Sequence, residues 1–323
     1  MATAAGTNEH DVLVVLGPTA CGKTRLGVAL ARALGGEIVS ADSRQVYRGL
    51  DIGTGKDLAE YGSGPERVAH HLIDVVAPDE QYSLYHFQRA CYAVFESLWA
   101  RGRLPLLVGG SGLYIEAVIE GYALVAAPPD PALRAELKAL DFDRLVERLR
   151  ASRPRLHNTT DLTDRRKLER AIEIAERAQQ TPPPPRPQLR PLLLGAAFER
   201  ETIYARIGRR LAQRLDQGLI EEVERLRAEG LSWQRLDELG LEYQHVAAYL
   251  RGRYADRAAL HAGLWQAIRH FARRQLSWFR RMERRGWTIH WIPEADPQAA
   301  LEVLRRHGRF GPWVRRGGVH PRP

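Results

Sequence analysis

Gly17-Pro18-Thr19-Ala20-Cys21-Gly22-Lys23-Thr24 fits the pattern G-x-x-x-x-G-K-[ST]. These residue types suit one kind of chemistry. The glycines let backbone N–H groups turn inward around phosphate oxygens, and a helix N-terminus adds about half a positive charge. Lys23 brings a full charge, and the Thr24 hydroxyl is placed to hold Mg²⁺. The motif predicts binding of a di- or triphosphate with a cation, and it does not require the ligand to be a nucleotide. A second candidate is Asp42, in Ser40-Ala41-Asp42-Ser43-Arg44-Gln45. Ligands of open α/β sheets gather at the carboxyl ends of the strands, so Asp42 is expected beside the phosphate loop. A carboxylate there can take a proton from an attacking nucleophile. Helix N-capping is its competing role. Asp51-Ile-Gly-Thr-Gly-Lys56 is a polar, Gly-rich loop that either meets substrate or merely connects.

The usual equipment of a P-loop triphosphatase is incomplete. It includes a strand ending in Asp that holds Mg²⁺, but the apolar run at 104–108 ends in Gly109-Gly110-Ser111. Asp74, after Leu72-Ile73, is the better substitute. No adenine-reading signature stands out, which shifts weight from a plain kinase towards pyrophosphate carried by another molecule. His70-His71 lacks spaced partners, so a structural role is expected there rather than a metal.

These residues need a scaffold, and the hydrophobic pattern predicts one. A buried strand at 12–16, a helix at 24–34 stopped by Gly35-Gly36 and a strand at 37–40 make a right-handed βαβ unit. Strands at 72–76 and 104–108 and a helix at 85–101 complete the first part of the core, residues 11–124. The expected fold class is α/β: a P-loop NTPase-like, doubly wound parallel sheet with a helical insertion domain. The insertion is assigned to 125–188, with helices at 132–140, 143–151 and 164–179. It closes on Thr-Pro-Pro-Pro-Pro-Arg-Pro, an extended polyproline linker. A return strand at 192–194 opens 189–292, where two long helices are expected. Ile203, Ile207, Leu211 and Leu215 mark the first, and Trp265, Ile268, Leu276 and Phe279 the second. Residues 293–323 are expected to be partly flexible, with 317–323 frayed.

Composition narrows the class of partner. The 323 residues include 48 Lys+Arg against 39 Asp+Glu, a net charge of +9, which favours an anionic partner. Arg269, Arg273, Arg274, Arg280, Arg281, Arg284 and Arg285 crowd one segment with only Glu283 against them. This predicts an RNA phosphate-contacting helix, with Trp278 and Phe279 packed in the core. Two cysteines, Cys21 and Cys91, are too few for a disulfide framework and suit a reducing cytoplasm. Residues 1–10 lack the pattern of a secretory leader, and no run of about 18 apolar residues occurs, so no membrane partner is expected.

Five blocks occur in one order: GPTACGKT at 17–24, ADSRQVYRGLDIGTGK at 41–56, HHLIDV at 70–75, PLLVGGSGLY at 105–114 and IRHFARRQLSWFRR at 268–281. Together, over about residues 11–290, they resemble the tRNA dimethylallyltransferase family. The likeness implies transfer of a dimethylallyl group from dimethylallyl diphosphate to N6 of the adenosine that follows the anticodon in tRNA. It assigns the 17–24 loop to the donor diphosphate and makes Asp42 the base that accepts the N6 proton. Ser43, Arg44 and Gln45 would contact the flipped-out adenosine and its neighbours. Ser111 would face the channel where nucleotide and donor meet. Arg274, Arg206 and Arg210 would stand by the departing diphosphate. Arg166, Lys167 and Arg170 match a segment that touches the anticodon stem-loop, and Tyr243 and Gln244 fall in a block expected near the RNA. A monomer is expected.

Two motif departures bear on RNA choice. The usual G-Y-[RK]-[QE] is replaced by Gly240-Leu241-Glu242-Tyr243-Gln244, and the usual G-T-A-K-P reads Gly53-Thr54-Gly55-Lys56-Asp57. The insertion also ends in an unusual proline run. The rival functions are a small-molecule kinase using Asp74 for its metal, a nucleotide-gated RNA-binding module without chemistry, and prenyl transfer to free adenine nucleotides. The insertion and the basic final third argue against the last, because a small acceptor needs no such surface.

Overall fold

Val12, Leu13, Val14, Val15 and Leu16 are all fully buried, as an apolar run covered on both faces of a parallel sheet must be. They belong to β1 (Glu9–Leu16) in the computed structural model, which describes residues 9–152 and 164–310. Five further strands pair with it or with one another: β2 (Glu37–Ser40), β3 (His70–His71), β4 (Pro105–Gly109), β5 (Gln188–Ala197) and β6 (Ile289–Pro293). The order is β3-β2-β4-β1-β5-β6, and every neighbouring pair is parallel. This is the expected doubly wound α/β sheet. Its register sets Leu16 against Gly109 and Ser40 against Val108. The loops leaving β1, β2 and β4 therefore start side by side at one edge. α1 (Lys23–Leu34) makes the first crossover, α2 (Leu84–Ala100) leads into β4, and α3 (Gly112–Ile119) leaves it.

Three expectations are corrected. The strand placed at 72–76 lies instead at His70–His71. Leu72 and Asp74 take left-handed φ values of 62° and 57°, so the chain turns where the apolar spacing suggested extension. Residues 189–292 hold five helices rather than two: α7 (Arg200–Asp216), α8 (Leu219–Ala228), α9 (Trp233–Glu238), α10 (Leu241–Leu250) and α11 (Arg257–Arg284). Ser232 and Asp256 cap α9 and α11 by accepting the N–H of Arg235 and Ala259. Finally, 293–310 belongs to the core. β6 extends the sheet, and α12 (Pro297–Arg306) buries Ala300 and Leu304. His290 and Pro293 interrupt the apolar run of β6, which hid it from the sequence. The fraying expected for 317–323 lies outside the described residues.

Gly121–Arg186 forms a separate compact unit, close to the expected 125–188. Its helices are α4 (Pro131–Ala139), α5 (Phe142–Ser152) and α6 (Arg165–Gln180). They share a small core of Leu137, Leu145, Leu149, Leu168 and Ile172. Glu173 is buried in this unit and paired with Arg134 at 2.6 Å and Arg170 at 2.9 Å. Arg170 also donates to the Ala127 carbonyl at 2.6 Å, so it braces the unit instead of standing free for RNA.

Candidate active site

Between β1 and α1 the chain makes the turn that the glycine pattern requires. Gly22 sits at the N-cap of α1 with φ 76°, a conformation that disfavours any residue with a Cβ. Cys21 points inwards and is fully buried, which pushes its thiol pKa up. The Lys23 ammonium lies 3.3 Å from the Pro18 carbonyl oxygen. Thr19 donates its N–H to Gln275 Oε1 at 2.8 Å, and Gln275 donates its amide to the Gly110 carbonyl at 2.9 Å. One glutamine from α11 therefore joins the loop after β1 to the loop after β4.

A cavity of about 360 Å³ opens at this edge of the sheet. Thr19, Lys23 and Thr24 line it from the phosphate loop, and Asp42, Ser43, Arg44 and Gln45 line it from the segment after β2. Ser111 comes from the β4–α3 junction, Arg210 from α7, Arg274 and Gln275 from α11, and Gln244 from α10. No helix starts at Asp42, so the expected N-cap role is corrected to the cap of a turn. Its Oδ1 accepts the N–H of Arg44 at 2.8 Å and of Gln45 at 3.4 Å, and the same carboxylate faces the cavity. Ser111 Oγ accepts the Ser43 N–H at 3.0 Å. Gln45 donates to the Gly55 carbonyl at 3.1 Å, which ties the 53–55 loop to the cavity wall.

Other predicted site residues stand elsewhere. Arg206 stacks over the Phe198 ring at 3.9 Å and, with Arg209 and Arg210, lines a second cavity behind Gly22. Arg269 lies between the rings of Tyr204 and Trp265, at 4.2 and 4.3 Å, and does not line the cavity. Arg273 turns to His270. Tyr243 is 1% exposed and donates its hydroxyl to Glu222 Oε1 at 2.6 Å, so its expected contact with RNA is overturned by burial. Arg281 of α11 and the exposed Arg285 just after it pair with the fully buried Glu116, while Arg273, Arg274, Arg280 and Arg284 are exposed on the helix. Phe279 is in the core, as expected.

The sequence also left important residues unmarked. Lys56 is buried and reaches the Tyr47 carbonyl at 2.8 Å, Asp51 at 2.7 Å and Asp74. Asp74, held there, does not line the cavity with Lys23 and Thr24, where the substitute metal ligand of a kinase would have to stand. Glu222 accepts the N–H groups of Asp51, Ile52 and Gly53 at 3.0, 2.8 and 3.1 Å. Residues 51–56 are thus pinned from both sides. Only the G-x-G-K spelling of that loop hinted at its importance. His71 pairs with Glu37 at 2.8 Å, and His70 packs on the Tyr61 ring, the structural role expected for both. Among the described residues no group of three or more His, Cys, Asp or Glu could hold a metal. The protein's own offer to Mg²⁺ is the Thr24 hydroxyl. That fits an ion which keeps waters and takes most of its remaining ligands from a diphosphate.

Comparison with known proteins shows the family. The IPP transferase family model matches residues 45–282, and the isopentenyl transferase model matches 10–74. The chain belongs to the IPP transferase family. It is 51% identical to tRNA dimethylallyltransferase 1 of Geotalea uraniireducens over 297 residues, covering 91% of this chain and 97% of that protein. It is 53% identical to tRNA dimethylallyltransferase 1 of Hahella chejuensis, covering 91% and 96%. The crystal structure of the full-length tRNA isopentenylpyrophosphate transferase of Bacillus halodurans superposes with a TM-score of 0.65 at 31% identity, over 96% of this chain and 98% of that one. A eukaryotic dimethylallyltransferase acting on tRNA shares the fold, with a TM-score of 0.72 at 20% identity, over 94% and 79%. No described helix is long and apolar enough to cross a membrane.

Proposed function

We propose that this family member transfers the dimethylallyl group of dimethylallyl diphosphate to N6 of the adenosine 3′ to the anticodon of tRNA, releasing diphosphate. The observation that carries this reading is a single cavity lined by a phosphate cradle (Lys23, Thr24) and a carboxylate (Asp42). The attacking amine is weakly nucleophilic, and charge builds on the diphosphate as the allylic C–O bond breaks and the C–N bond forms. Inward N–H groups, Lys23, Arg210 and Arg274 neutralise that charge. The amine becomes acidic only as C–N bonding proceeds, so Asp42 can accept its proton late, held in place by the N–H groups of Arg44 and Gln45. Mg²⁺ bound with the diphosphate would be held at Thr24 and would supply further charge neutralisation.

The acceptor base must leave its stack to reach the cavity, at a cost of a few kcal/mol that is smaller in a loop. Ser43, Arg44, Gln45 and Ser111 are suited to hold it there, with Gln244 beside them. Arg166 and Lys167, exposed on α6, are suited to the anticodon stem. Arg273 and the exposed arginines of α11 suit RNA phosphates, and Arg206 suits the outer side of the diphosphate. The relatives named for this reaction support the reading, as does the position of Asp74 outside the cavity lining. A tRNA-modifying role places the enzyme in the cytoplasm.

The test is to incubate the protein with radiolabelled dimethylallyl diphosphate and either unmodified tRNA or AMP. Label is expected in the tRNA, at the adenosine following the anticodon. Label in AMP alone, or turnover that depends on ATP and a small hydroxylated acceptor, would overturn the assignment.

A further inference from the structure

Arg206, Arg210 and Arg214 recur at every fourth position of α7, so they share one face with about 6 Å of rise between successive residues. The first two lie towards the phosphate loop. Arg214 is different. Its side chain is 13% exposed, and its Nη1 stands 3.4 Å from Glu242 Oε1 and 3.5 Å from the Gly53 carbonyl oxygen. Both contacts are at the outer limit of hydrogen bonding, so the guanidinium keeps capacity for another partner. Gly55 admits it. A Cβ built there would overlap Arg214 Nη2, and φ at Gly55 is +61°. Positions 55 and 242, where two motifs depart from the family pattern, therefore meet at one guanidinium.

Arg214, Glu242 and Asp42 line the same cavity. Arg210 pairs with Asp57 at 2.6 Å, outside the cavity lining, whereas the partner of Arg214, Glu242, lines the cavity itself, where it would repel a diphosphate. A pair of opposite charges instead presents hydrogen-bonding groups with little net charge, and those groups match the ring nitrogens and exocyclic groups of a base. Burial pushes the Glu242 pKa up and the Arg214 pKa down, which is consistent with a site shielded from water. We propose that Arg214, paired with Glu242 and admitted by Gly55, is a specificity-determining residue for the acceptor nucleobase. The inference rests on the functional reading above.

The experiment measures steady-state prenylation of an anticodon stem-loop by wild type, Arg214→Met, Gly55→Ala and the double variant Gly55→Ala/Arg214→Ala. For Arg214→Met, kcat/KM for the RNA is expected to fall about tenfold or more, with KM for dimethylallyl diphosphate within about twofold of wild type. Gly55→Ala should be at least as impaired, and removing the Arg214 side chain in the double variant should restore part of its activity. A raised donor KM with unchanged RNA kinetics would make Arg214 a diphosphate ligand and overturn the inference. So would an Arg214→Met enzyme indistinguishable from wild type, or a Gly55→Ala substitution tolerated equally with and without the Arg214 side chain. A wild type that labels no RNA defeats the functional reading itself, whereas an active wild type beside an unaffected Arg214→Met defeats only this step.

Discussion

Thr19, inside the phosphate loop, donates its backbone N–H to Gln275 Oε1 at 2.8 Å, although 256 residues separate them. The Gln275 amide continues to the Gly110 carbonyl, next to Ser111. The 17–24 loop and the Gly110–Ser111 loop are thereby held by one buried side chain. Gln275→Ala leaves two backbone groups without their partner, at about 1–3 kcal/mol each. The expected result is a fall in donor kcat/KM of about tenfold to a hundredfold, with KM for the RNA little changed. Steady-state kinetics varied in each substrate separately check this split.

Lys23 carries the only full charge that the phosphate loop itself contributes. Lys23→Ala should lower the rate at least about a hundredfold while affinity for tRNA stays nearly unchanged. Single-turnover transfer measured beside a tRNA binding isotherm tests this, and unchanged turnover would contradict the role given to the loop.

Lys56 is 2% exposed, while its partners Asp51 and Asp74 are 61% and 37% exposed. Solvent therefore screens part of the interaction, and Lys56→Met should destabilise the protein by about 1–3 kcal/mol, below the range for fully buried pairs. Urea unfolding at pH 7 gives the number. Asp74→Asn should retain prenyl transfer at saturating Mg²⁺, because Asp74 pairs with Lys56. Loss of activity that extra Mg²⁺ rescues would instead return a metal to this carboxylate.

Glu37 sets a pH dependence. Burial disfavours its charge, but hydrogen bonds from Arg101 and His71 outweigh burial and hold its pKa below the ordinary value of 4.5. A depressed folded pKa contributes stability above the unfolded pKa, and that contribution is lost as pH falls through the folded one. The Tm difference between wild type and Glu37→Gln should thus shrink as pH falls below about 4.5. A difference that grows on acidification would reverse the sign.

Local pattern was enough for the elements that flank the glycine-rich loop. The G-x-x-x-x-G-K-[ST] loop had to follow a buried strand and open a helix, because only that geometry points N–H groups at a phosphate, and β1 and α1 stand on either side of it. Asp42 follows β2 for the same topological reason. The insertion was legible because its Arg/Glu/Leu rhythm has the period of a helix. What sequence spacing could not carry was which distant groups meet. Tyr243 occupies a motif position that suggests substrate, but its neighbour Glu222 draws it into the core. Gln275 reaches Thr19, and Arg214 fills the space above Gly55, across more than 150 residues in each case. β6 escaped notice because His290 and Pro293 obscure a short strand that is completed only by β5 beside it. Periodicity records each residue's relation to its own helix or strand. The partners of a buried polar group are chosen when elements pack, because an unpaired donor or acceptor there is too costly to keep. The glycine-rich turn after β1 was therefore written in the chain order, and the packing of the opposite cavity wall was decided only by tertiary contact.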